Sequence, residues 1–179
     1  MIKIQNLKKY YNNGNIRAVD GLNFEIDTGE ILGFLGPNGA GKSTTLKMLT
    51  TYIPPTDGNI FIDGYNLHSN VDKFKKNMGY LPESTPLYPN MKVMEFLKFI
   101  VEARDLSKKK AKERIDYVID KLSLSKNAYK SISSLSKGFK QRVGLAQAII
   151  HDPEILILDE PTSGLDPNQV LEIRNLIKE

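Results

Sequence analysis

The chain has 179 residues, enough for one domain of ordinary size with a buried core. Hydrophobic residues make up 40% and charged residues 26%, as in soluble globular proteins, and no apolar stretch approaches the roughly 20 residues that span a bilayer. The complete lack of cysteine excludes a disulfide framework, a thiolate nucleophile and a zinc–thiolate cluster, and the formal charge of +4 is modest.

Met1-Ile2-Lys3-Ile4-Gln5 alternates like a strand and lacks a signal peptide's long apolar region, which fits residence in the cytoplasm. Residues 1–35 read as strands broken by a turn at Tyr11-Asn12-Asn13-Gly14-Asn15, with Leu22, Phe24 and Ile26 alternating with polar neighbours. Thr28-Gly29-Glu30 turns the chain into Ile31-Leu32-Gly33-Phe34-Leu35, an apolar run expected to be a buried strand. Leu46-Lys47-Met48-Leu49 reads as helix, and Pro54-Pro55-Thr56-Asp57-Gly58 breaks it. Ile60 and Ile62 then mark a short strand closed by Asp63-Gly64, and Met78-Gly79-Tyr80-Leu81 another, ended by Pro82.

From Glu83 to about Ser134 the period changes from two to 3.6. Val93, Phe96, Leu97, Ile100 and Val101 form one helical stripe, and Ala111, Ile115, Ile119 and Leu122 a second. Both are expected to face a core. A further helix carries Phe139, Val143, Ala146 and Ile150, and Ile155-Leu156-Ile157-Leu158 is expected to be a fully buried strand. Asp166-Pro167 is a helix start, with helical spacing continuing through Val170, Ile173 and Ile177. The lysines gather between Lys73 and Arg142, notably Lys108, Lys109, Lys110 and Lys112. They read as a solvated helix face, and without interleaved aromatics they make no platform for single-stranded nucleic acid. His68 reads as a surface loop residue and His151 as a helix-end residue.

The chemistry centres on Gly36-Pro37-Asn38-Gly39-Ala40-Gly41-Lys42-Ser43-Thr44, placed between the expected strand and helix as G-x-x-x-x-G-K-[ST] requires. Gly36, Gly39 and Gly41 are expected to take positive φ values that bend backbone N–H groups around a phosphate. A helix opening near Lys42 adds its positive end, Lys42 a point charge for the β- and γ-phosphates, and Ser43 a hard oxygen for Mg²⁺. This is the pattern of a nucleoside triphosphate site. Asp159-Glu160, after four apolar residues, supplies its second half. The first carboxylate can sit beside the Mg²⁺, and the second can polarise the water that attacks the γ-phosphate.

With these motifs in place the chain resembles the ATP-binding cassette family along its whole length. Leu135-Ser136-Lys137-Gly138-Phe139-Lys140-Gln141-Arg142 is similar to that family's L-S-G-G-Q signature, and Ser163-Gly164-Leu165-Asp166 to its D-loop. Tyr11 matches the aromatic that stacks on adenine, with Tyr10 as the alternative. The resemblance implies an α/β fold: a P-loop NTPase (RecA-like) core with an N-terminal antiparallel β portion, formed by 1–82 and about 135–179. About 83–134 would be an inserted helical subdomain within a single nucleotide-binding domain. It also implies ATP and Mg²⁺ as ligands, the metal held by Ser43, Asp159 and Glu83, and catalysis by Glu160, Lys42 and Glu83. Ser136, Lys137 and Gly138 would meet the ATP of a second cassette, two sites being completed when two cassettes close head-to-tail. The implied function is the ATPase subunit of a membrane exporter, peripheral on the inner face of the cell membrane. Its partners would be a second cassette and an integral-membrane permease, with no nucleic acid.

Three features depart from the family pattern. Lys137 and Phe139 replace a glycine and the glutamine of the signature, and Glu83 stands where the Q-loop glutamine is usual. Gly79-Tyr80-Leu81-Pro82-Glu83 with Pro86-Leu87-Tyr88 resembles an export branch that includes gliding-motility-associated ATPases. The family's switch histidine would lie beyond Glu179, so a C-terminally truncated cassette, impaired in turnover, is expected. Two other functions compete: a soluble cassette protein acting on nucleic acid or ribosomes, and a module that binds ATP without hydrolysing it.

Overall fold

Alternation along the first 26 residues builds an antiparallel pair, β1 (Ile2–Tyr11) and β2 (Ile16–Ile26), in the computed structural model, which describes residues 1–178. The connecting turn holds Asn12, Asn13 and Gly14 at positive φ, which Asn and Gly accept most readily. β3 (Asp57–Ile62) pairs with the other edge of β1, and β4 (Tyr65–Asn66) with β3, in the order β2-β1-β3-β4. Ile4, Leu7, Ile60 and Ile62 bury the sheet's inner face. With α1 (Lys42–Leu49) and α2 (Val71–Lys75) these strands form one unit, Met1–Lys75.

The second unit, Lys76–Glu179, is mostly helical. Its two strands, β5 (Met78–Leu81) and β6 (Ile155–Leu158), pair in parallel. Around them stand α3 (Val93–Ala103), α4 (Lys108–Lys121), α5 (Lys137–Ile149) and α6 (Pro167–Lys178). Of the two expected stripes, Val93, Phe96, Leu97 and Val101 of α3 and Ile115 and Leu122 around α4 are buried, joined by Val118 and by Val143 and Ala146 of α5 in one core, while Ile100, Ala111 and Ile119 pack against it half-buried. Burying each of the larger side chains contributes about 1.5–3 kcal/mol. Lys108, Lys109, Lys110 and Lys112 lie exposed, the solvated face expected of them.

Two expectations fail for the same physical reason. Residues 31–35 form no strand: they make no backbone hydrogen bond among the described residues, and Leu35 is 96% exposed. β6 is not buried on both faces, since Leu156 is 37% exposed. Apolar runs become buried strands only with a neighbour on each free edge and a layer on each face. Among the described residues β6 has only β5 as a strand partner, and residues 31–35 have none.

His151, just past the end of α5, is buried within the second unit. The Met78 carbonyl can only accept, so Nε2–H donates to it at 3.1 Å and Nδ1 is left unprotonated, without a partner among the described residues. Burial, with the nearby Arg104 and Arg114 cations, lowers its pKa from 6.5 to about 4. Between those values the unfolded chain takes up a proton that the folded chain refuses, so stability falls as pH drops. The loss attributable to His151 is about 1.5 kcal/mol between pH 6.5 and 5. Urea denaturation at the two pH values should show it, and His151→Gln should flatten the dependence. An unchanged slope in the variant would assign the effect to other groups.

Candidate functional site

The glycine loop and α1 follow each other as the sequence predicts. Gly41 sits at the helix N-cap with φ 86°, and a Cβ there would come within 2.2 Å of the Ala18 carbonyl oxygen, so only glycine fits. Gly39 is also left-handed, but Gly36, expected to be so, is not: the bend is made entirely at the two later glycines. Residues 36–40 are exposed, and Gly41, Lys42, Ser43 and Thr44 are half-buried. The Lys42 ammonium curls back over the loop, donating to the carbonyls of Gly36 at 2.8 Å and Pro37 at 2.9 Å. Two of its three protons are thus used, and the third is left for an anion above the loop. The loop offers that anion its backbone N–H groups and the positive end of α1.

The two tyrosines at the end of β1 differ in their freedom. Tyr10 donates its hydroxyl to Asp20 and lies 5.6 Å from the Arg17 guanidinium. That bond holds the Tyr10 phenol above its ordinary pKa and the Asp20 carboxyl below its own. Tyr11 is 40% exposed. The Lys9 ammonium stands 5.4 Å from the Tyr11 ring centroid, anchored on the Pro54 carbonyl at 2.7 Å. Of the pair, Tyr11 is the more exposed ring.

In the second unit, β6 delivers Asp159 and Glu160 to different surroundings. The Asp159 N–H continues the ladder to the Leu81 carbonyl at 2.8 Å, and the residue is 6% exposed. No cluster of three or more acidic or imidazole groups occurs among the described residues. Glu160 is exposed and left-handed at φ 50°, a conformation unusual for glutamate. Glu83 lies exposed just beyond the end of β5.

The signature stretch opens α5. The Ser136 hydroxyl caps it, accepting from the Phe139 N–H at 3.4 Å, while Ser136 and Lys137 themselves are exposed. The first turn contains no acid. Gly138 is buried because the D-loop passes over it: a Cβ would lie 2.8 Å from Oε1 of Gln169 and 3.2 Å from Cδ2 of Leu165. The Lys137 stem lies across Gly164, with Cδ 2.5 Å from where a Cβ would be. Asp166 caps α6, accepting from the Gln169 N–H at 3.0 Å. At the far end of α5, Arg114 of α4 donates to the carbonyls of Ile149 at 2.8 Å and Ile150 at 2.9 Å, and pairs with Asp152 at 3.2 Å. Neither Arg114 nor Gln141, whose amide reaches the Glu160 carbonyl at 3.3 Å, stood out in the sequence. Contacts to a backbone carbonyl leave no residue pattern at the accepting position.

An exposed helix N-terminus with a serine cap, a phosphate-type loop and an acid pair at a strand exit define a nucleotide-binding cassette. The chain belongs to the ABC transporter family, whose model matches residues 19–163. It is 41% identical over 178 residues to an uncharacterized ABC transporter ATP-binding protein of Methanocaldococcus jannaschii, covering 99% of this chain and 63% of that one. It is 42% identical over 177 residues to the bacitracin transport ATP-binding protein BcrA of Bacillus licheniformis, covering 99% and 56%. The linearmycin resistance ATP-binding protein LnrL of Bacillus subtilis is 39% identical over 175 residues, covering 96% and 56%. The chain therefore spans 56–63% of the length of these relatives. A dimeric bacterial ABC transporter cassette superposes with a TM-score of 0.90 at 28% identity, covering 99% of this chain and 81% of that one. A post-hydrolysis cassette dimer bound to ADP and Pi gives 0.89 at 27% identity, covering 99% and 81%. The fold is the P-loop NTPase fold of those cassettes, with an N-terminal antiparallel sheet.

Proposed function

We propose that this chain is the nucleotide-binding part of an ABC exporter, which binds Mg-ATP and hydrolyses it when two copies close head-to-tail. The observation that carries this reading is the exposed, serine-capped N-terminus of α5, with no acid in its first turn, in the same unit as Asp159 and Glu160. An unneutralised helix end attracts an anion, here the γ-phosphate of the ATP held by a partner cassette. Residues 36–44 hold the chain's own triphosphate, and Tyr11 stacks on the adenine. Ser43, Asp159 and Glu83 are the residues that would hold Mg²⁺. Bound Mg²⁺ would draw charge from the phosphate oxygens. Glu160 polarises the attacking water, and Lys42 offsets charge developing on the leaving phosphates. Ser136, Lys137 and Gly138 face the partner's ATP, with Asp166 beside them on the D-loop.

The permease is proposed to dock on the helical block, residues 83–134, of a domain whose core is 1–82 and 135–179. Supporting this, Tyr88 and Phe99 stand edge to face at 5.7 Å and are 52% and 43% exposed, an uncovered aromatic pair above buried Phe96. No helix among the described residues is long and apolar enough to cross a membrane. Relatives named for bacitracin transport and linearmycin resistance support export. In this reading the protein works at the inner face of the cell membrane.

Phosphate release at saturating ATP tests the proposal. Turnover should require Mg²⁺ and cease on adding EDTA. A protein that binds ATP by calorimetry yet releases no phosphate above buffer would be a non-hydrolysing module instead. Salt-dependent co-purification with nucleic acid, rather than with membranes, would favour the soluble alternative.

A further inference from the structure

We propose that Gln141 is a positioning residue for Glu160: its side-chain amide fixes the backbone from which the water-polarising carboxylate projects. This rests on the role given to Glu160 above. Gln141 lies on α5, five residues beyond the Ser136 cap, and is 8% exposed. Its Nε2 donates to the Glu160 carbonyl at 3.3 Å, and the Ser163 N–H donates to the same oxygen at 3.1 Å. Glu160 is left-handed, a conformation that persists for a non-glycine residue only when its surroundings enforce it. The two donors come from different elements and converge on one carbonyl, which supplies that enforcement.

Gln141 is itself held in place. The next residue, Arg142, is 5% exposed and donates to the Leu122 carbonyl at 3.1 Å and the Glu172 carboxylate at 2.7 Å, tying α5 to the end of α4 and to α6. With Lys137 lying on Gly164 and Gly138 under Leu165, the chain from Glu160 to Glu172 runs along the first turns of α5. The helix end that would meet a partner's phosphate is thus joined to the carboxylate serving the chain's own ATP. The Gln141 side chain is the hydrogen-bonded link between them, about 8 Å along the helix from the cap.

Gln141→Glu keeps the size of the side chain but replaces the donor with an acceptor, and Gln141→Met keeps its length without a hydrogen bond. Both should lower kcat by about 10- to 100-fold, the scale of a small misplacement of reacting groups. KM for ATP should stay unchanged in both, and the unfolding midpoint should hold in Gln141→Met, while Gln141→Glu sets a buried carboxylate against a carbonyl oxygen and should lower it. Combined with Glu160→Gln, neither should slow single-turnover hydrolysis further, because the group being positioned is already gone. Unchanged kcat in both variants, a fall in Gln141→Met matched by a shift in its unfolding midpoint, or equal slowing in the Glu160→Gln background would overturn the inference. If Glu160→Gln alone leaves kcat unchanged, the role of Glu160 fails, and this inference with it. If that variant is slow while both Gln141 variants are normal, only the inference fails.

Discussion

Glu160→Gln is expected to lower kcat by about 10²–10⁴-fold, the range supplied by a positioned proton acceptor. Glutamine matches the shape of the side chain and removes only its charge. Because Glu160 is exposed, its replacement leaves no buried group unpaired, and the fold should be unaffected. ATP binding should survive as well, since the phosphate loop and Asp159 are intact. Chemistry is then blocked after closure, so the variant should accumulate as an ATP-bound dimer. Phosphate release measures the first effect and light scattering at saturating Mg-ATP the second. A normal rate would move the water-polarising role to another residue. A slow variant that stays monomeric would leave catalysis in place but contradict head-to-tail closure.

The second large effect is expected at the phosphate loop. The Lys42 ammonium is already held over Gly36 and Pro37, so ATP need not order it on binding. Lys42→Ala should weaken Mg-ATP binding by about 3 kcal/mol, or about 150-fold, the upper range for a hydrogen bond to a charged group. The carbonyls it leaves behind are exposed and can take water instead, so the unfolding midpoint should hold. Tyr11→Ala is the internal comparison. Stacking on one base is worth about 1–3 kcal/mol, so its loss should be equal or smaller. Calorimetry on the three proteins decides the matter, and equal affinity for wild type and Lys42→Ala would remove the assigned phosphate site.

Much of this arrangement is legible in the sequence because local chemistry repeats the global answer. The 3.6-residue spacing of Val93, Phe96, Leu97 and Val101 is enough to mark a buried face. Asp166 announces itself as a helix start, and it accepts the backbone bond of a cap. Gly41 is required by a motif and proves to be required also by the Ala18 carbonyl. The failures fall where the outcome depends on distant partners. Ile31 to Leu35 has the composition of a strand, but pairing is a property of two segments, and no sequence window contains both. The left-handed Glu160 and its bond to Gln141 are equally hidden. A glutamate after a strand says nothing of its φ, and a glutamine on a helix says nothing of which carbonyl it will meet. The choice between Tyr10 and Tyr11 needs the positions of Asp20 and Arg17, which the sequence places nearby without orienting them.

Arg114 gives α5 a mechanical character. Its guanidinium grips the last carbonyls of the helix while Asp152 braces it, so the C-terminal end acts as a pivot and the Ser136 end as a tip that carries Gly164, Leu165 and Gln169 packed against it. A helix of 13 residues is a rod about 20 Å long. A tilt of about three degrees at the pivot would swing the tip by roughly 1 Å, a displacement on the scale that changes rates about a hundredfold. Stiffness at one end therefore sets how finely the other can be aimed, and a cation on α4, far along the rod from the capped end, becomes part of its leverage.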